Sequence, residues 1–215
     1  MNSKRVKVKP GLSDPEFWPR AVAELSARDP LIAKLAATNR GLESRPRGDA
    51  FATLARAIVG QQISVRAAQT IWERTLLAAG RAAPQAVLDC ADDSLRGCGL
   101  SARKVEYLKD LSRWFIEHQN GRELDHMSDE RLIAELCTIK GVGRWTAEMF
   151  MIFYLFRPDV LPLDDLGLLR GVSLVYKEGA PVTKNDVREL TAHWAPWRSV
   201  GTWYMWRALS PIPNE

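Results

Sequence analysis

Two adjacent carboxylates, Asp164 and Asp165, stand at the start of an apolar helical segment and are the first candidates for chemistry. Acidic residues at this position often serve as helix caps, because their side chains accept hydrogen bonds from exposed backbone amides. A carboxylate can also stabilise developing positive charge or orient an attacking water. Asp165 follows Gly143 by 22 positions, which is enough for one long helix and a return loop. The spacing therefore favours a functional carboxylate near the turn that contains Gly143, and simple capping stays open as the alternative.

That turn, Gly141-Val142-Gly143, lies between a short helical segment and a long one. Two glycines permit backbone angles that are closed to other residues and let a ligand approach the main chain. The first amides of the following helix then point outward together and form a site for a phosphate oxygen. Lys140 and Arg144 add positive charge on either side. The turn predicts either a phosphate-binding hairpin, which positions a protein on DNA without reading bases, or a plain connection between helices.

Helices must position these groups, since apolar residues recur at spacings of three, four and seven along most of the chain. Two segments show the pattern clearly: one begins at Ser64 and ends before Gly80, and the other runs from Ser101 to about His118. Further predicted helices cover residues 15–27, 29–38, 48–59, 84–90, 92–96, a short stretch from 128, 144–156, 165–176, 183–193 and 197–209. Helix 144–156 is apolar on every side, which predicts a central position. Strand alternation is nearly absent, so the sequence predicts an all-α bundle.

Composition and charge limit the function classes. A chain of 215 residues suggests one compact domain or two small lobes. Its 30 Lys and Arg against 26 Asp and Glu give a net charge of +4, which permits a polyanionic partner but does not require one. Three cysteines without close spacing argue against a disulfide framework or a structural zinc site. No secretory signal and no bilayer-length apolar stretch is visible, so we expect a soluble intracellular protein that is neither secreted nor bound to a membrane.

Four segments, taken together, resemble the helix-hairpin-helix DNA glycosylases with a Gly/Pro-rich loop and an aspartate (HhH-GPD), in particular the 3-methyladenine DNA glycosylase II group. The segments are residues 57–64, residues 95–104, the hairpin joined to the loop 164–167, and residues 194–199. They span about residues 50–207. The resemblance implies a single two-lobed helical domain, 1–215, with a DNA-binding cleft between the lobes. It places a basic tail at about 1–12, one lobe at about 50–130 with the terminal segments, and a hairpin lobe at about 130–210.

By this resemblance Asp165 is the catalytic carboxylate, and Asp164 caps the helix or supports the loop. The implied reaction is cleavage of a glycosidic bond, whose transition state gathers positive charge on the sugar. Lyases of the superfamily carry a lysine two residues after the second hairpin glycine, where this chain has Trp145. Without an amine there, β-lyase chemistry has no evident nucleophile. The resemblance thus implies a monofunctional enzyme, and the four-cysteine iron–sulfur cluster of some relatives is absent, so no cofactor is expected.

The resemblance also assigns roles to residues that would contact the substrate. A flipped base needs aromatic and apolar surfaces, and the implied pocket residues are Trp145, Trp206 and Met149. Gln62 matches the position of the wedge that fills the gap in the base stack, although Gln61 and Gln62 could instead cap the following helix. The expected phosphate contacts are Lys140, Gly141, Gly143, Arg144, Thr146, Ser101, Arg103 and Lys104. A structural Na⁺ or K⁺ is a further possibility, held by the backbone carbonyls of Cys137, Ile139 and Val142.

The expected partner is double-stranded DNA that contains a damaged base, and the expected state is a monomer. The sequence resembles an enzyme that removes alkylated bases in base excision repair, located in the nucleoid of a bacterium or the nucleus of a eukaryote. Cationic alkylated bases suit electron-rich tryptophan rings. Two alternatives stay open: a glycosylase for deaminated or mismatched bases such as uracil, hypoxanthine or ethenoadenine, and a DNA-binding module without enzymatic activity.

Overall fold

The computed structural model describes residues 17–43, 49–118 and 121–209, and these ranges contain twelve α-helices and two short 3-10 helices. The α-helices are α1 (Phe17–Arg28), α2 (Pro30–Thr38), α3 (Ala50–Gly60), α4 (Val65–Ala79), α5 (Pro84–Asp89), α6 (Asp92–Gly97), α7 (Ala102–Glu117), α8 (Asp129–Leu136), α9 (Arg144–Phe153), α10 (Leu166–Tyr176), α11 (Lys184–Leu190) and α12 (Arg198–Leu209). The 3-10 helices are Leu124–His126 and Ala192–Trp194. The described residues include no strand, which confirms the all-α prediction. The predicted basic tail, residues 1–12, lies outside the described residues.

Polar residues at the helix starts explain where the chain becomes helical. The hydroxyl of Ser64 accepts a hydrogen bond from the backbone N–H of Ala67 at 3.2 Å, and Ser101 accepts one from Lys104 at 3.3 Å. Each bond satisfies an amide that has no acceptor within its own helix. Gly80 follows α4 in a left-handed conformation, with a φ of +78°. The predicted limits of α4 and the predicted start of α7 are therefore confirmed.

The first compact unit consists of the described residues up to 43 and those from Leu155 onward. In it α1 packs on α2, and α10 packs on α12, which also contacts α1 and α2. Gly171 lets α10 and α12 approach closely, since a Cβ there would lie 2.6 Å from the backbone oxygen of Met205. Trp194 and Trp197 are both buried in this unit and pack in its core.

A buried carboxylate joins three elements of the first unit. Asp29 caps α2 and is 3% exposed. Its Oδ2 accepts hydrogen bonds from the Tyr176 hydroxyl, from His193 Nε2 at 2.8 Å and from Trp194 Nε1 at 3.2 Å. Burial by itself raises the pKa of the Asp29 carboxyl, but the hydrogen bonds, led by the one from Tyr176, outweigh burial and hold the pKa below its usual value. Asp29 thus stabilises the packing of α2, α10 and the second 3-10 helix.

The second compact unit consists of the described residues from 49 to Tyr154. In it α7 packs on α3 and α5, and α9 packs on α3 and α8. All residues of α9 from Thr146 to Ile152 are buried, which confirms its central position within this unit. The helix ends at Phe153 rather than at the predicted 156, and Phe156 has a left-handed φ of +51° that is incompatible with a continued helix.

Two further details differ from expectation. The predicted helix 183–193 is interrupted, because α11 ends at Leu190 and the chain continues after Thr191 as a 3-10 helix. The sequence placed 130–210 in one lobe, whereas the structure divides this range after Tyr154, since α9 packs on α3 and α8 while α10 packs on α12. The hairpin and Asp165 therefore belong to different units. Among the described residues, no helix combines the length and apolarity that crossing a membrane requires.

Candidate functional site

Asp165 is the N-cap of α10 and is 9% exposed. Its Oδ1 accepts a hydrogen bond from the backbone N–H of Leu168 at 2.6 Å and one from the indole Nε1 of Trp206 at 2.8 Å. In both contacts the carboxylate oxygen is the acceptor. The structure therefore shows one carboxylate that is held in a single orientation by its own helix and by α12.

The glycine after Asp165-Leu166 explains how Trp206 reaches the carboxylate. A Cβ added to Gly167 would lie 2.9 Å from Asp165 Oδ1 and 2.9 Å from Cδ1 of Trp206. Ordinary Cβ contacts are 3.4 to 4 Å, so any larger residue would displace one of the two groups. This lack of space explains why a glycine stands two residues after Asp165.

Asp164 has a different role from its neighbour. The expectation that Asp164 caps the helix is wrong, because Asp165 is the residue that accepts the hydrogen bond from the first turn. Asp164 is exposed and forms an ion pair with Lys184, at the start of α11. This contact supports the loop before α10, which is the other role expected of Asp164. Capping was one of two alternatives for the acidic pair, and the structure confirms it for Asp165, whose functional role stays a prediction.

The hairpin of the second unit connects α8 to α9, as predicted. Gly141 has a left-handed φ of +81°, and a Cβ there would lie 2.1 Å from the ring of Tyr107. Gly143 is the N-cap of α9, is exposed, and has nothing within 4 Å of where a Cβ would be. Gly141 is therefore required by the fold, whereas Gly143 leaves the main chain before α9 open to a ligand. This agrees with a phosphate-binding turn, since the first amides of a helix attract anions.

The cations beside the hairpin are engaged by carboxylates. Lys140 Nζ lies 2.8 Å from Glu106 Oε1, and this hydrogen bond raises the pKa of the lysine. The guanidinium of Arg144 contacts Glu130 and Glu148, each at 3.0 Å, and the hydrogen bond that it donates to Glu130 raises the pKa of Arg144. A phosphate that binds these cations would have to compete with the three carboxylates. Their assignment as phosphate contacts stays a prediction.

The other predicted phosphate contacts and the wedge lie near α3 and α7. Ser101 caps α7, and Arg103 is exposed in its first turn. The Lys104 ammonium instead lies against the end of α3, and donates to the backbone oxygens of Val59 at 2.7 Å and Gln61 at 2.8 Å. Burial lowers the pKa of Lys104.

Gln62 is exposed and has a left-handed φ of +58°. The cap of α4 is Ser64, so the alternative that Gln61 or Gln62 caps this helix is wrong. The Gln61 side chain points elsewhere: its Nε2 donates to the backbone oxygen of Gly141 at 2.8 Å. The role of Gln62 as a wedge stays a prediction.

The predicted pocket residues occupy different surroundings. Trp145 is 37% exposed in the first turn of α9, and Met149 is buried one turn later on the same helix. Trp206 is half-buried beside Asp165 in the first unit. Thr146, a predicted phosphate contact, is buried in α9, so only its backbone could serve that purpose.

The carbonyls proposed for a monovalent cation lie in the hairpin turn. Cys137 is the C-cap of α8, and the Ile139 oxygen accepts a hydrogen bond from Val142 N at 3.1 Å. A carbonyl oxygen has two lone pairs, so this bond leaves capacity for a cation. Carbonyl oxygens are the ligand type that such a site needs. No group of three or more His, Cys, Asp or Glu side chains in the described part of the chain could hold a metal ion.

Several contacts were not found from the sequence. The pairing of Arg144 with Glu148 had a signal, because oppositely charged residues four apart on a helix face each other. The contacts of Gln61 with Gly141, of Lys104 with the end of α3, and of Tyr107 with Gly141 join distant parts of the chain. Nothing in the local pattern indicates them.

The described residues thus combine helices without strands, an open Gly-Val-Gly hairpin in one unit and a buried aspartate at a helix start in the other. The sequence matches the HhH-GPD superfamily of base excision DNA repair proteins over residues 55–196. The chain belongs to this family.

Individual relatives agree with this assignment. The chain is 33% identical to DNA-3-methyladenine glycosylase 1 of Schizosaccharomyces pombe over 181 residues, which covers 82% of this chain and 79% of that protein. The structure of the S. pombe 3-methyladenine DNA glycosylase Mag1 in complex with abasic DNA has a TM-score of 0.78 at 31% identity, covering 91% of this chain and all of that one. A DNA-3-methyladenine glycosidase from Bacillus halodurans has a TM-score of 0.76 at 32% identity, with 93% and 91% of the two chains covered.

Proposed function

We propose that this chain is a monofunctional DNA-3-methyladenine glycosylase, which hydrolyses the N-glycosidic bond of alkylated bases in DNA during base excision repair. The observation that carries the proposal is the Asp165 carboxylate, held by Leu168 N–H and Trp206 Nε1 at the start of α10. The names of the relatives support the substrate class.

The proposed reaction separates the base from the sugar. As the bond from C1′ to the base nitrogen breaks, its electron pair leaves with the base and positive charge develops on the sugar. An ionised Asp165 stabilises that charge and orients the water that adds to C1′, and this water loses one proton to solvent as the new C1′–O bond forms. Because Leu168 and Trp206 fix the carboxylate beforehand, little reorganisation is needed in the transition state.

The products are the free base and an intact strand with an abasic site. Trp145 stands where the lyases of the superfamily have lysine, so the chain offers no amine at that position for a Schiff base. We therefore propose hydrolysis without strand cleavage.

Alkylated purines such as 3-methyladenine and 7-methylguanine carry positive charge in the DNA, which weakens the glycosidic bond. The same charge favours contact with electron-rich rings. Trp145 and Trp206, each with part of its surface exposed, and the thioether of Met149 are the residues we propose for the base. A cationic leaving group needs less catalytic assistance, and this suits a site with one carboxylate.

The proposed partner is double-stranded DNA that contains the damaged base, bound by a monomer. The first backbone amides of α9, after Gly143, would contact a phosphate, and Arg103 would add charge. A Na⁺ or K⁺ on the carbonyls of Cys137, Ile139 and Val142 would stabilise the turn. This function places the protein with chromosomal DNA, in the nucleoid or the nucleus.

A panel of single-lesion duplexes tests the proposal against its alternatives. Each duplex carries 7-methylguanine, ethenoadenine, hypoxanthine or uracil, and strands are analysed before and after alkali. We expect base release from the methylated duplex and strand breaks only after alkali. Faster release of uracil or hypoxanthine would favour the glycosylase for deaminated bases. Binding without release from any duplex would favour the DNA-binding module, and breaks without alkali would contradict a monofunctional enzyme.

A further inference from the structure

The turn that presents Gln62, residues 61–63, is held by more contacts than an ordinary helix end. The turn follows α3, and at its tip Gln62 and Ile63 are exposed. Gln62 adopts the left-handed conformation, which is unusual for a residue other than glycine or asparagine and persists only where the surroundings enforce it. The contacts of the preceding residue, Gln61, are the ones that could enforce it.

Lys104 is the first support. Its ammonium donates to the backbone oxygens of Val59 and Gln61 at the end of α3, at 2.7 and 2.8 Å. A lysine favours this position because the last carbonyls of a helix carry partial negative charge. Two of the three donors of Lys104 are thus directed to the main chain, one to the last residues of α3 and one to the turn. Burial also lowers the pKa of Lys104, as expected for an ammonium withdrawn from water.

Gln61 is the second support, and it connects the turn to the hairpin. Its side-chain Nε2 donates to the backbone oxygen of Gly141, a residue 80 positions away, at 2.8 Å. Gly141 is the glycine that has no room for a Cβ, because the ring of Tyr107 packs against it. The turn and the hairpin are therefore joined directly by a side-chain to main-chain hydrogen bond.

One helix holds both ends of this connection. Lys104, Tyr107 and Asp110 lie on successive turns of α7. Lys104 contacts the turn, Tyr107 packs on Gly141, and Asp110 Oδ2 accepts a hydrogen bond from the backbone N–H of Lys140 at 2.9 Å. A helix cap alone would need only the first of these contacts. Because one helix makes all three contacts, they fix the position of the turn relative to the hairpin.

We propose that Lys104 and Gln61 are positioning residues, which hold the Gln62 turn against the hairpin so that the inserted side chain and the phosphate-binding amides engage DNA in one fixed spacing. This inference rests on the proposed function, since it takes Gln62 as the side chain that fills the gap left by a flipped base. It assigns Lys104 to the protein's own main chain and not to a phosphate.

The test uses DNA on which no bond is broken. A duplex with a tetrahydrofuran abasic analogue, and with 2-aminopurine in the opposite strand, reports insertion into the base stack by increased fluorescence and also yields Kd. The variants are Lys104→Met and Gln61→Leu, each of which removes the donor and keeps the side-chain size. Lys109→Met and Gln85→Leu are matched controls, because the Lys109 ammonium pairs with Asp92 and Gln85 Nε2 donates to Asp89 Oδ1, and neither partner belongs to the turn or the hairpin. Lys104→Arg keeps a donor and should restore part of the signal.

We expect Lys104→Met and Gln61→Leu to weaken binding roughly tenfold and to lose most of the fluorescence increase, with both controls within about twofold of the wild type. In a Gln62→Ala background, Lys104→Met should change Kd less than about twofold, because residues that act through one another are not additive. Thermal unfolding shows whether each variant is folded. If Lys104→Met is not folded, the test uses Gln61→Leu in its place.

The inference is overturned if the wild type shows no fluorescence increase, if Lys104→Met behaves as Lys109→Met does, or if its effect is as large in the Gln62→Ala background as in the wild type. These readouts require no base release. If the wild type releases no base but the variants bind as predicted, only the proposed function is contradicted. If the wild type releases the base but the variants do not bind as predicted, only the positioning role is contradicted.

Discussion

Replacing Gly167 by alanine tests how the structure sets the geometry of Asp165. A Cβ at this position would lie 2.9 Å from Asp165 Oδ1, 2.9 Å from Trp206 Cδ1 and 3.0 Å from Trp206 Nε1. The backbone of Gly167 is within α10 and has an ordinary helical conformation, so the substitution acts through these contacts and not through φ. Either the carboxylate or the indole must move for the methyl group to fit.

The size of the effect follows from that displacement. To reach an ordinary contact distance of 3.4 Å, the carboxylate or the indole must shift by about 0.5 Å. A misplacement of about 1 Å costs on the order of 100-fold in rate. We therefore expect base release to slow roughly tenfold. Overpacking of this kind costs about 1–3 kcal/mol of stability. For a chain of this size that lowers Tm by about 2–12 °C.

The assay is single-turnover release of 7-methylguanine, with Tm measured on the same preparations. Gly97→Ala is the matched control, because nothing lies within 4 Å of a Cβ there and the residue ends α6. The control should keep the wild-type rate and stay within about 1 kcal/mol of wild-type stability. A Gly167→Ala protein with both the wild-type rate and the wild-type Tm would refute the steric account of the Asp165 and Trp206 contact.

Two further substitutions separate structure from chemistry within the first unit. Asp165→Asn keeps a capping oxygen and an acceptor for Trp206, so its free energy of unfolding in urea should stay within about 1 kcal/mol of the wild-type value. Asp165→Ala removes both and should lose about 2 kcal/mol. Equal stability of the two variants would contradict the capping role. Asp29→Ala should cost about 3–5 kcal/mol because it breaks a buried hydrogen-bonded cluster, while the exposed Asp93→Ala should stay within about 0.5 kcal/mol. Because the pKa of Asp29 is below its usual value of 3.8, its stabilisation is present above that pH and is lost as the pH falls through the folded-state pKa. The stability difference between wild type and Asp29→Asn should therefore narrow below about pH 4, and a difference that widens would be inconsistent with the lowered pKa.

The local parts of the structure could be predicted from the sequence, because they depend on neighbouring residues. Ser64 and Ser101 start helices by capping them, and the apolar pattern of α9 indicates a central helix. The position of the hairpin and the placement of Asp165 at a helix start follow from the same local signals. The limit of this reasoning appears at the end of α9, where the apolar pattern continues past Phe153 although the helix does not.

Contacts between distant residues could not be predicted in this way. In sequence Lys104 resembles a solvated cation next to Arg103, and only the fold brings its ammonium to the end of α3. Lys140 likewise pairs with Glu106, a residue 34 positions earlier in the chain. The family resemblance predicted a phosphate contact for each of these lysines, and the structure shows that each has a carbonyl or carboxylate partner.

The central claim is that Asp165 drives hydrolysis of the glycosidic bond of an alkylated base. The most direct test incubates excess wild-type protein and Asp165→Asn with a duplex containing one 7-methylguanine and measures the free base by mass spectrometry. The wild type should release one base for each duplex, and Asp165→Asn should be slower by on the order of 100-fold or more. Release at equal rates by the two folded proteins, or none by the wild type, would contradict the claim.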